Sequence, residues 1–219
     1  AEKCITLLKN EDHLLPLDRS KLKTIGIIGP NADNRKALVG NYEGTASRYY
    51  TVSEGIQDYV GDGVRVLFSE GCHLYKEKIS NLSQGSDRLA EVKGVCDASD
   101  VIVLCLGLDP GLEGEEGDQG NQYASGDKPG LDLPGKQQEL LETVYASGRP
   151  VVLVLLSGSA LAVPWADEHI PAIIQGWYPG AQGGKAIARV LFGEQNPEGR
   201  LPVTFYRSAE ELPEVTDYS

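Results

Sequence analysis

Six short runs of apolar residues recur along the chain, and most of them are continuous rather than alternating with polar residues. A continuous apolar run of about four to eight residues, rich in β-branched side chains, is typical of a strand that is buried on both faces of its sheet. The runs are Thr24–Gly29, Val64–Phe68, Val101–Leu108, Val151–Leu156, Ala172–Trp177 and Leu201–Phe205. They favour a parallel sheet that lies between two layers of other structure.

Helix-like segments lie between these runs. Apolar residues recur at helical spacing over 86–98, 135–147 and 183–192, and the last two segments are followed by a glycine, a common helix C-terminus. The sequence therefore predicts an α/β fold, a mostly parallel sheet covered by helices on both faces (an α/β sandwich). Pro202 indicates an edge strand near the C-terminus, and residues 1–10 are predicted to be the end of an amphipathic helix.

Charge and composition exclude two classes of partner. The 219 residues carry 20 basic and 32 acidic side chains and a formal net charge of −12, so we expect neither a nucleic-acid partner nor an anionic membrane surface. No apolar run approaches the roughly 20 residues of a membrane-spanning helix. The four cysteines form no Cys-x-x-Cys pair and are predicted to be free and mostly buried. Because the chain lacks Met and a leader at Ala1, we expect it to be part of a longer polypeptide.

The longest polar segment, residues 109–130, follows the apolar run at Val101–Leu108. Ligands of parallel sheets gather beyond the carboxyl ends of the strands, so this segment is the first place to expect a site. It contains four carboxylates within six positions: Glu113, Glu115, Glu116 and Asp118. In a cleft, their repulsion predicts that at least one has a raised pKa and stays protonated near neutral pH.

A protonated carboxylic acid is what a glycosidase uses to protonate the departing glycosidic oxygen. Two other interpretations of the same segment remain open. It is either a solvated acidic loop or a Ca²⁺ site, although its spacing does not match the EF-hand pattern.

Other site motifs fail on inspection. TIGIIGPNAD at 24–33 lacks the dinucleotide fingerprint, and PGAQGGKA at 179–186 lacks both the first glycine and the Ser or Thr of a phosphate loop,. The serines at 157 and 159 have no Gly-x-Ser-x-Gly frame,. The three histidines share no metal-ligand spacing and are predicted to be surface or capping residues. We therefore expect no cofactor and no metal.

Seven blocks along the chain carry a family resemblance. They are ITLLKNEDHLLPL, TIGIIGPNAD, GLDPGLEGEEGDQ, LDLPGKQQELLETV, PVVLVLLSGSALAVPWA, AIIQGWYPGAQGGKAIARVLFGEQNPEGRLPVTF and LPEVTDYS. In this order they resemble the second, α/β-sandwich domain of glycoside hydrolase family 3, and VGNYEGTASRYYTVSEGI at 39–56 resembles its xylosidase branch. The resemblance covers essentially the whole chain. We expect a linker from a preceding barrel domain at 1–20, the α/β-sandwich domain at 21–206, and a tail toward a following segment at 207–219.

The resemblance implies a retaining exo-acting β-glycosidase, a β-glucosidase or β-xylosidase that acts on oligosaccharides or aryl β-glycosides. It implies a nucleophilic aspartate on a preceding (β/α)8 barrel and an acid/base glutamate on a loop of this domain. The family loop reads roughly E-x-E-G-x-D-R, and a gap-free match to 113–119 puts Glu115 on the catalytic glutamate and Asp118 on the aspartate. Glu116 stands where Gly is usual and Gln119 replaces the Arg, so Glu113 and Glu116 remain alternatives for the acid/base.

Two aromatic residues are candidates for substrate contact. Tyr42 is either a residue that contacts sugar hydroxyls or an ordinary surface tyrosine, and Trp177 is either part of an aromatic rim or a core residue. The two carboxyls of a retaining enzyme are about 5–5.5 Å apart, so a site between two domains makes this domain alone inactive. The rival function is a non-catalytic carbohydrate-binding or scaffolding domain of the same fold, and a flavodoxin-like small-ligand module is a third.

Overall fold

The structure, a computed structural model, describes residues 1–78, 80–81, 83–84, 86–114, 128–214 and 216. One six-stranded sheet runs through the described part of the chain, in the spatial order β1-β6-β5-β4-β2-β3. All neighbouring strands are parallel except β1, which pairs antiparallel with β6. The strands are β1 (Thr6–Asn10), β2 (Thr24–Ile28), β3 (Arg65–Ser69), β4 (Val101–Gly107), β5 (Val151–Leu156) and β6 (Ala172–Gln175).

Within the described residues, four α-helices connect successive strands and a fifth follows β6. They are α1 (Val52–Val60), α2 (Leu89–Ala98), α3 (Gln137–Tyr145), α4 (Pro164–His169) and α5 (Gly183–Leu191). Helix α1 begins with a capping box, in which the Thr51 side chain accepts from the Glu54 N–H and the Glu54 side chain accepts from the Thr51 N–H,. Helix α4 has Pro164 at its first position, where a missing N–H costs nothing.

The two faces of the sheet are both covered, as the continuous apolar runs predict. Alternate residues of β4 enter separate cores: Val103 and Cys105 belong to one cluster, and Leu104 and Leu106 to the other. Residues of α1 and α5 complete the first cluster, and residues of α2, α3 and α4 complete the second. The prediction of a mostly parallel sheet between helices is confirmed.

Two predictions for the ends of the chain are wrong: an edge strand at 201–205 and the end of a helix at 1–10. Residues 201–205 form no strand, and Val203 is 56% exposed. The edge next to β6 is instead taken by Thr6–Asn10, within the stretch that we expected to be the end of a helix. The sequence pattern misled because the adjacent residues Leu7 and Leu8 pack against different faces of the sheet, which is strand geometry rather than helix geometry.

The carboxyl ends of β2 and β4 leave the sheet through glycines. Gly29 has φ of +118° and Gly107 has φ of +130°, a region that side-chain-bearing residues rarely adopt. A Cβ on Gly29 would stand 2.1 Å from the Cys105 carbonyl oxygen, and one on Gly107 would stand 2.0 Å from that of Leu156. Gly29 therefore packs directly against the backbone of β4, and Gly107 against that of β5. The segments that follow both glycines begin at the carboxyl ends of the strands.

Candidate functional site

The carboxylate of Glu113 lies at the centre of the polar contacts at this edge. One oxygen, Oε2, accepts the backbone N–H of Gly158 at 2.8 Å and the Tyr178 hydroxyl, and the other, Oε1, accepts the Ser159 hydroxyl. We call Glu113, Gly158, Ser159 and Tyr178 the Glu113 cluster. Its members follow β4, β5 and β6, so one side chain connects the carboxyl ends of three adjacent strands.

Buried side chains at the ends of β5 and β6 hold the segment that follows β5. The Gln175 side-chain amide, at the end of β6, donates to the Ser157 hydroxyl at 2.9 Å, and that hydroxyl donates to the Ser159 carbonyl at 2.8 Å. Gln175 and Ser157 are fully buried. This chain of hydrogen bonds holds residues 157–159, which include the Gly158 and Ser159 donors that meet Glu113.

Two further side chains, Asn41 and Lys128, donate hydrogen bonds to backbone carbonyls in or beside the Glu113 cluster. The Asn41 side-chain amide, in the segment after β2, donates to the Glu113 carbonyl at 2.6 Å. Lys128 donates its ammonium to the Ala160 carbonyl, next to the serine of the Glu113 cluster. Burial lowers the pKa of Lys128, while the negative charge of Glu113 opposes that shift,.

Tyr178 is a persistent donor in the Glu113 cluster. Burial raises the pKa of its phenol above the ordinary value, and the charge of Glu113 and their shared hydrogen bond raise it further,. The preceding residue, Trp177, has φ of +60°, which is strained backbone for a bulky side chain. Its ring packs edge-on against Phe205 with centroids 6.0 Å apart, so Trp177 takes part in packing rather than standing free.

A separate crevice of about 460 Å³ opens beyond the carboxyl ends of β2, β3 and β4. We call it the β2–β3 crevice. It lies where β2 has β3 on one side and β4 on the other, the position at which ligands enter open α/β sheets. Its lining combines carboxylates, an imidazole and aromatic rings: Asp33, Glu70, Asp109, His73, Phe68 and Tyr75, with Pro30, Asn34 and Leu74.

His73 has a defined protonation pattern in this crevice. Its Nδ1 accepts the backbone N–H groups of Tyr75 at 3.2 Å and Lys76 at 3.0 Å. Burial, followed by the nearby charge of Lys76, lowers the pKa of His73. A neutral ring that accepts at Nδ1 carries its proton on Nε2, which leaves a donor in a crevice lined by carboxylates.

The predicted site residues fall into two groups. Glu115, Glu116 and Asp118 lie outside the described residues. Glu113 is described, and it is brought together with Tyr178, whereas Tyr42 is 88% exposed.

Sequence reasoning missed the donors of the Glu113 cluster and the β2–β3 crevice. The donors stand 45, 46 and 65 positions from Glu113, and only the rule that parallel strands end at one edge could have brought them together.

The cysteines, the possible metal ligands and the helix lengths of the described residues were also compared with the sequence predictions. The four cysteines are free, and three of them are buried, as the sequence predicts. Among residues 1–114 and 128–216, apart from the undescribed positions, no group of three His, Cys, Asp or Glu is placed to hold a metal ion. No helix in the described part of the chain has the length and apolar character needed to cross a bilayer.

Comparison with known proteins gives a consistent family. Residues 5–219 match the family described as "Glycosyl hydrolase family 3 C-terminal domain". A β-xylosidase of Formosa agariphila is 36% identical over 97% of the chain, and a periplasmic β-glucosidase of Salmonella typhimurium is 33% identical over the same share. The chain spans 28% of the length of each of these two relatives.

Solved structures agree with this result. A β-glucosidase of Erythrobacter marinus superimposes with a TM-score of 0.82 at 33% identity, covering 97% of this chain and 30% of that protein. A β-glucosidase of Listeria innocua, solved with isofagomine, gives a TM-score of 0.73 at 28% identity, covering 93% of this chain and 26% of that protein.

Proposed function

The chain belongs to the C-terminal domain family of glycosyl hydrolase family 3, and from this premise we propose that it is the acid/base-bearing domain of a retaining exo-β-glycosidase. The substrate class is terminal, non-reducing β-linked glucose or xylose on an oligosaccharide or an aryl aglycone. The observation that carries the proposal is the position of the acidic segment. It begins directly after the buried central strand β4, at the edge of the sheet where ligands bind,.

Glu115 is the proposed acid/base. A general acid needs a proton to donate, but in the described contacts the Glu113 side chain accepts from three donors. Glu113 is therefore engaged within its own domain, whereas Glu115 follows two positions later and aligns with the catalytic glutamate of the family loop. This reasoning favours Glu115 over Glu113 and keeps Glu116 as the alternative register.

The reaction has two steps that share one carboxyl group. In the first step, the Glu115 carboxylic acid gives its proton to the glycosidic oxygen while an aspartate of the barrel domain attacks the anomeric carbon. The bond to the aglycone breaks, and a covalent glycosyl-enzyme remains. In the second step, the Glu115 carboxylate takes a proton from water, whose oxygen attacks the same carbon and frees the aspartate.

The remaining candidates have supporting roles in this proposal. Asp118 aligns with the aspartate of the family loop, and Tyr42, whose side chain is exposed, is proposed to contact sugar hydroxyls. Trp177 is proposed for the rim of the substrate site. Its strained backbone supports this, because residues held at such φ values cluster at functional sites, and its packing on Phe205 is the competing explanation.

The barrel domain is the proposed partner, since the nucleophile is not in this chain. The two carboxyls of a retaining glycosidase lie about 5–5.5 Å apart, so they must meet across the interface of the two domains. The isolated domain is accordingly proposed to be inactive toward any glycoside.

The test uses the enzyme that contains both domains and two aryl glycosides, one with a phenyl and one with a dinitrophenyl leaving group. Glu115→Gln is expected to lower kcat/KM for the phenyl substrate by about 10²–10⁴-fold and to leave the dinitrophenyl substrate much less affected. Azide is expected to restore part of the turnover in Glu115→Ala by attacking the glycosyl-enzyme. A non-catalytic carbohydrate-binding domain would show no leaving-group effect at Glu113, Glu115 or Glu116, and that result would refute the proposal.

A further inference from the structure

Glu113 is bound from several directions, although sequence reasoning treated it only as an alternative acid. Both of its carboxylate oxygens accept hydrogen bonds, and its carbonyl accepts one more from Asn41. Hydrogen bonds to an ionised acceptor are about twice as strong as neutral ones. The start of the acidic segment is therefore attached to the segments after β2, β5 and β6 through one residue.

The far end of the acidic segment is attached to the same place. Lys128 donates to the Ala160 carbonyl, and Ala160 directly follows Ser159, which donates to Glu113. The Lys128 ammonium is also close enough to Glu113 for their charges to interact. Glu113 and Lys128, one on each side of residues 115–127, are thus both hydrogen-bonded to one short stretch, residues 158–160. The buried side chains of Gln175 and Ser157 hold that stretch in turn.

We propose that Glu113 is a positioning residue, whose carboxylate, held by Gly158, Ser159 and Tyr178, sets where the acid/base segment leaves β4. This inference rests on the proposed function, because it assigns to the cluster the task of placing a proton donor. Proton transfer requires hydrogen-bond reach, and a displacement of about 1 Å can cost about 10²-fold in rate. Tyr178 and Ser159 act in the same way, one step further from the reaction.

The experiment compares three variants of the Glu113 cluster in the two-domain enzyme with a matched control, and it adds Glu113→Ala in azide, Glu115→Gln and Glu116→Gln as references for the acid/base. Glu113→Gln keeps the shape of the side chain and removes its charge. Tyr178→Phe and Ser159→Ala leave Glu113 in place and remove one donor each. Glu139→Gln is the control, since Glu139 pairs with Lys136 on the exposed side of α3, and its side chain is 43% exposed. All assays run well below the melting temperature of the least stable variant.

The expected signature lies in the leaving-group dependence. Glu113→Gln lowers kcat for the phenyl glycoside by about 10–100-fold, with KM changed less than about threefold and the dinitrophenyl glycoside nearly unaffected. Tyr178→Phe and Ser159→Ala show the same pattern with a smaller loss, about 3–10-fold, and Glu139→Gln shows none. Glu113→Ala in azide forms no glycosyl azide beyond the wild-type level, because the acid/base itself is still present.

Three results would overturn the positioning role. The first is an equal loss on both substrates, and the second is no loss on either, since both would make the cluster purely structural or dispensable. The third is glycosyl azide from Glu113→Ala, which would make Glu113 the acid/base. If Glu115→Gln shows the leaving-group effect and Glu113→Gln does not, only the positioning role fails. If neither Glu115→Gln nor Glu116→Gln shows the effect and Glu113→Ala forms no glycosyl azide, the proposed function fails and the positioning role fails with it.

Discussion

The carboxyl edge of the sheet has two halves of opposite character. At β5 and β6, the Glu113 cluster fills the edge, and every carboxylate oxygen of Glu113 has a donor from another segment. At β2 and β3, the edge is open, and the β2–β3 crevice holds about 460 Å³ between carboxylates and aromatic rings. Glu70, which lines that crevice, pairs with Arg88, and both side chains remain about a third exposed.

The difference shows two uses of the same residue type. A carboxylate surrounded by donors from several strands fixes segments relative to each other, and it has little capacity left for a ligand. A carboxylate at the wall of a crevice keeps free acceptor capacity and contributes less to stability. The three predictions below test this contrast, beginning with the backbone that both halves share.

Substitution of either exit glycine is expected to have the largest effect. Gly29→Ala and Gly107→Ala each place a Cβ about 2 Å from a carbonyl oxygen of the next strand, at a positive φ. The combined overlap and strain are expected to lower the free energy of unfolding by about 4 kcal/mol or more. Urea unfolding followed by circular dichroism measures this change.

Gly94→Ala is the matched control, because Gly94 lies on an exposed part of α2 with no atom within 4 Å of the added Cβ. It is expected to raise stability by about 0.5–1 kcal/mol. If Gly107→Ala lowers the free energy of unfolding but Gly29→Ala does not, the two halves differ in their backbone as well as in their side chains.

Replacing one glutamate in each half, Glu113 beside β5 and β6 or Glu70 beside β2 and β3, is expected to have an intermediate effect on the free energy of unfolding. Glu113→Ala leaves the partly buried hydroxyls of Ser159 and Tyr178 without their acceptor, so we expect a loss of about 1–3 kcal/mol in the free energy of unfolding. Glu70→Ala removes an ion pair between partly exposed side chains and is expected to cost about 0–1 kcal/mol. Equal losses measured by urea unfolding would remove the contrast between the halves.

The pH dependence of stability gives the smallest effect and reports on the open half. The pKa of His73 is lower in the folded protein than its ordinary value of 6.5, so the unfolded chain binds the proton more readily. Stability is therefore expected to fall as pH decreases through that ordinary value, and to be regained as pH rises.

His73→Gln is expected to have a flatter stability profile than the wild type between about pH 7.5 and about pH 5.5. Thermal unfolding in matched buffers measures the difference between the two proteins. Parallel profiles would show that other groups control this pH range.

The sequence predicts the centre of the fold better than its edges. The runs at β2, β4, β5 and β6 are continuous because both faces are buried, and this pattern is visible without any tertiary information. Strand β1 was missed because it is half-exposed and gains its identity from pairing with β6. Residues 201–205 failed as a strand for the complementary reason, since β1 already occupies the edge beside β6.

The site follows the same division. Glu113 was singled out because acidic residues crowd one segment, which is a local signal. Its contacts were not predicted, because Ser159 and Tyr178 meet it only after three parallel strands align their carboxyl ends. Serine and tyrosine carry no motif of their own here, so the contact depends on the assembled sheet.

The shared attachment of Glu113 and Lys128 to residues 158–160 has an evolutionary consequence. With both attachment points held at residues 158–160, a change in the number of residues between them alters the closure entropy only slowly, by about 0.6 kcal/mol for each doubling of length. The described contacts of Glu113 and Lys128 can therefore be kept while that number changes. A domain with such paired attachment points can vary in sequence between them while residues 158–160 stay the same.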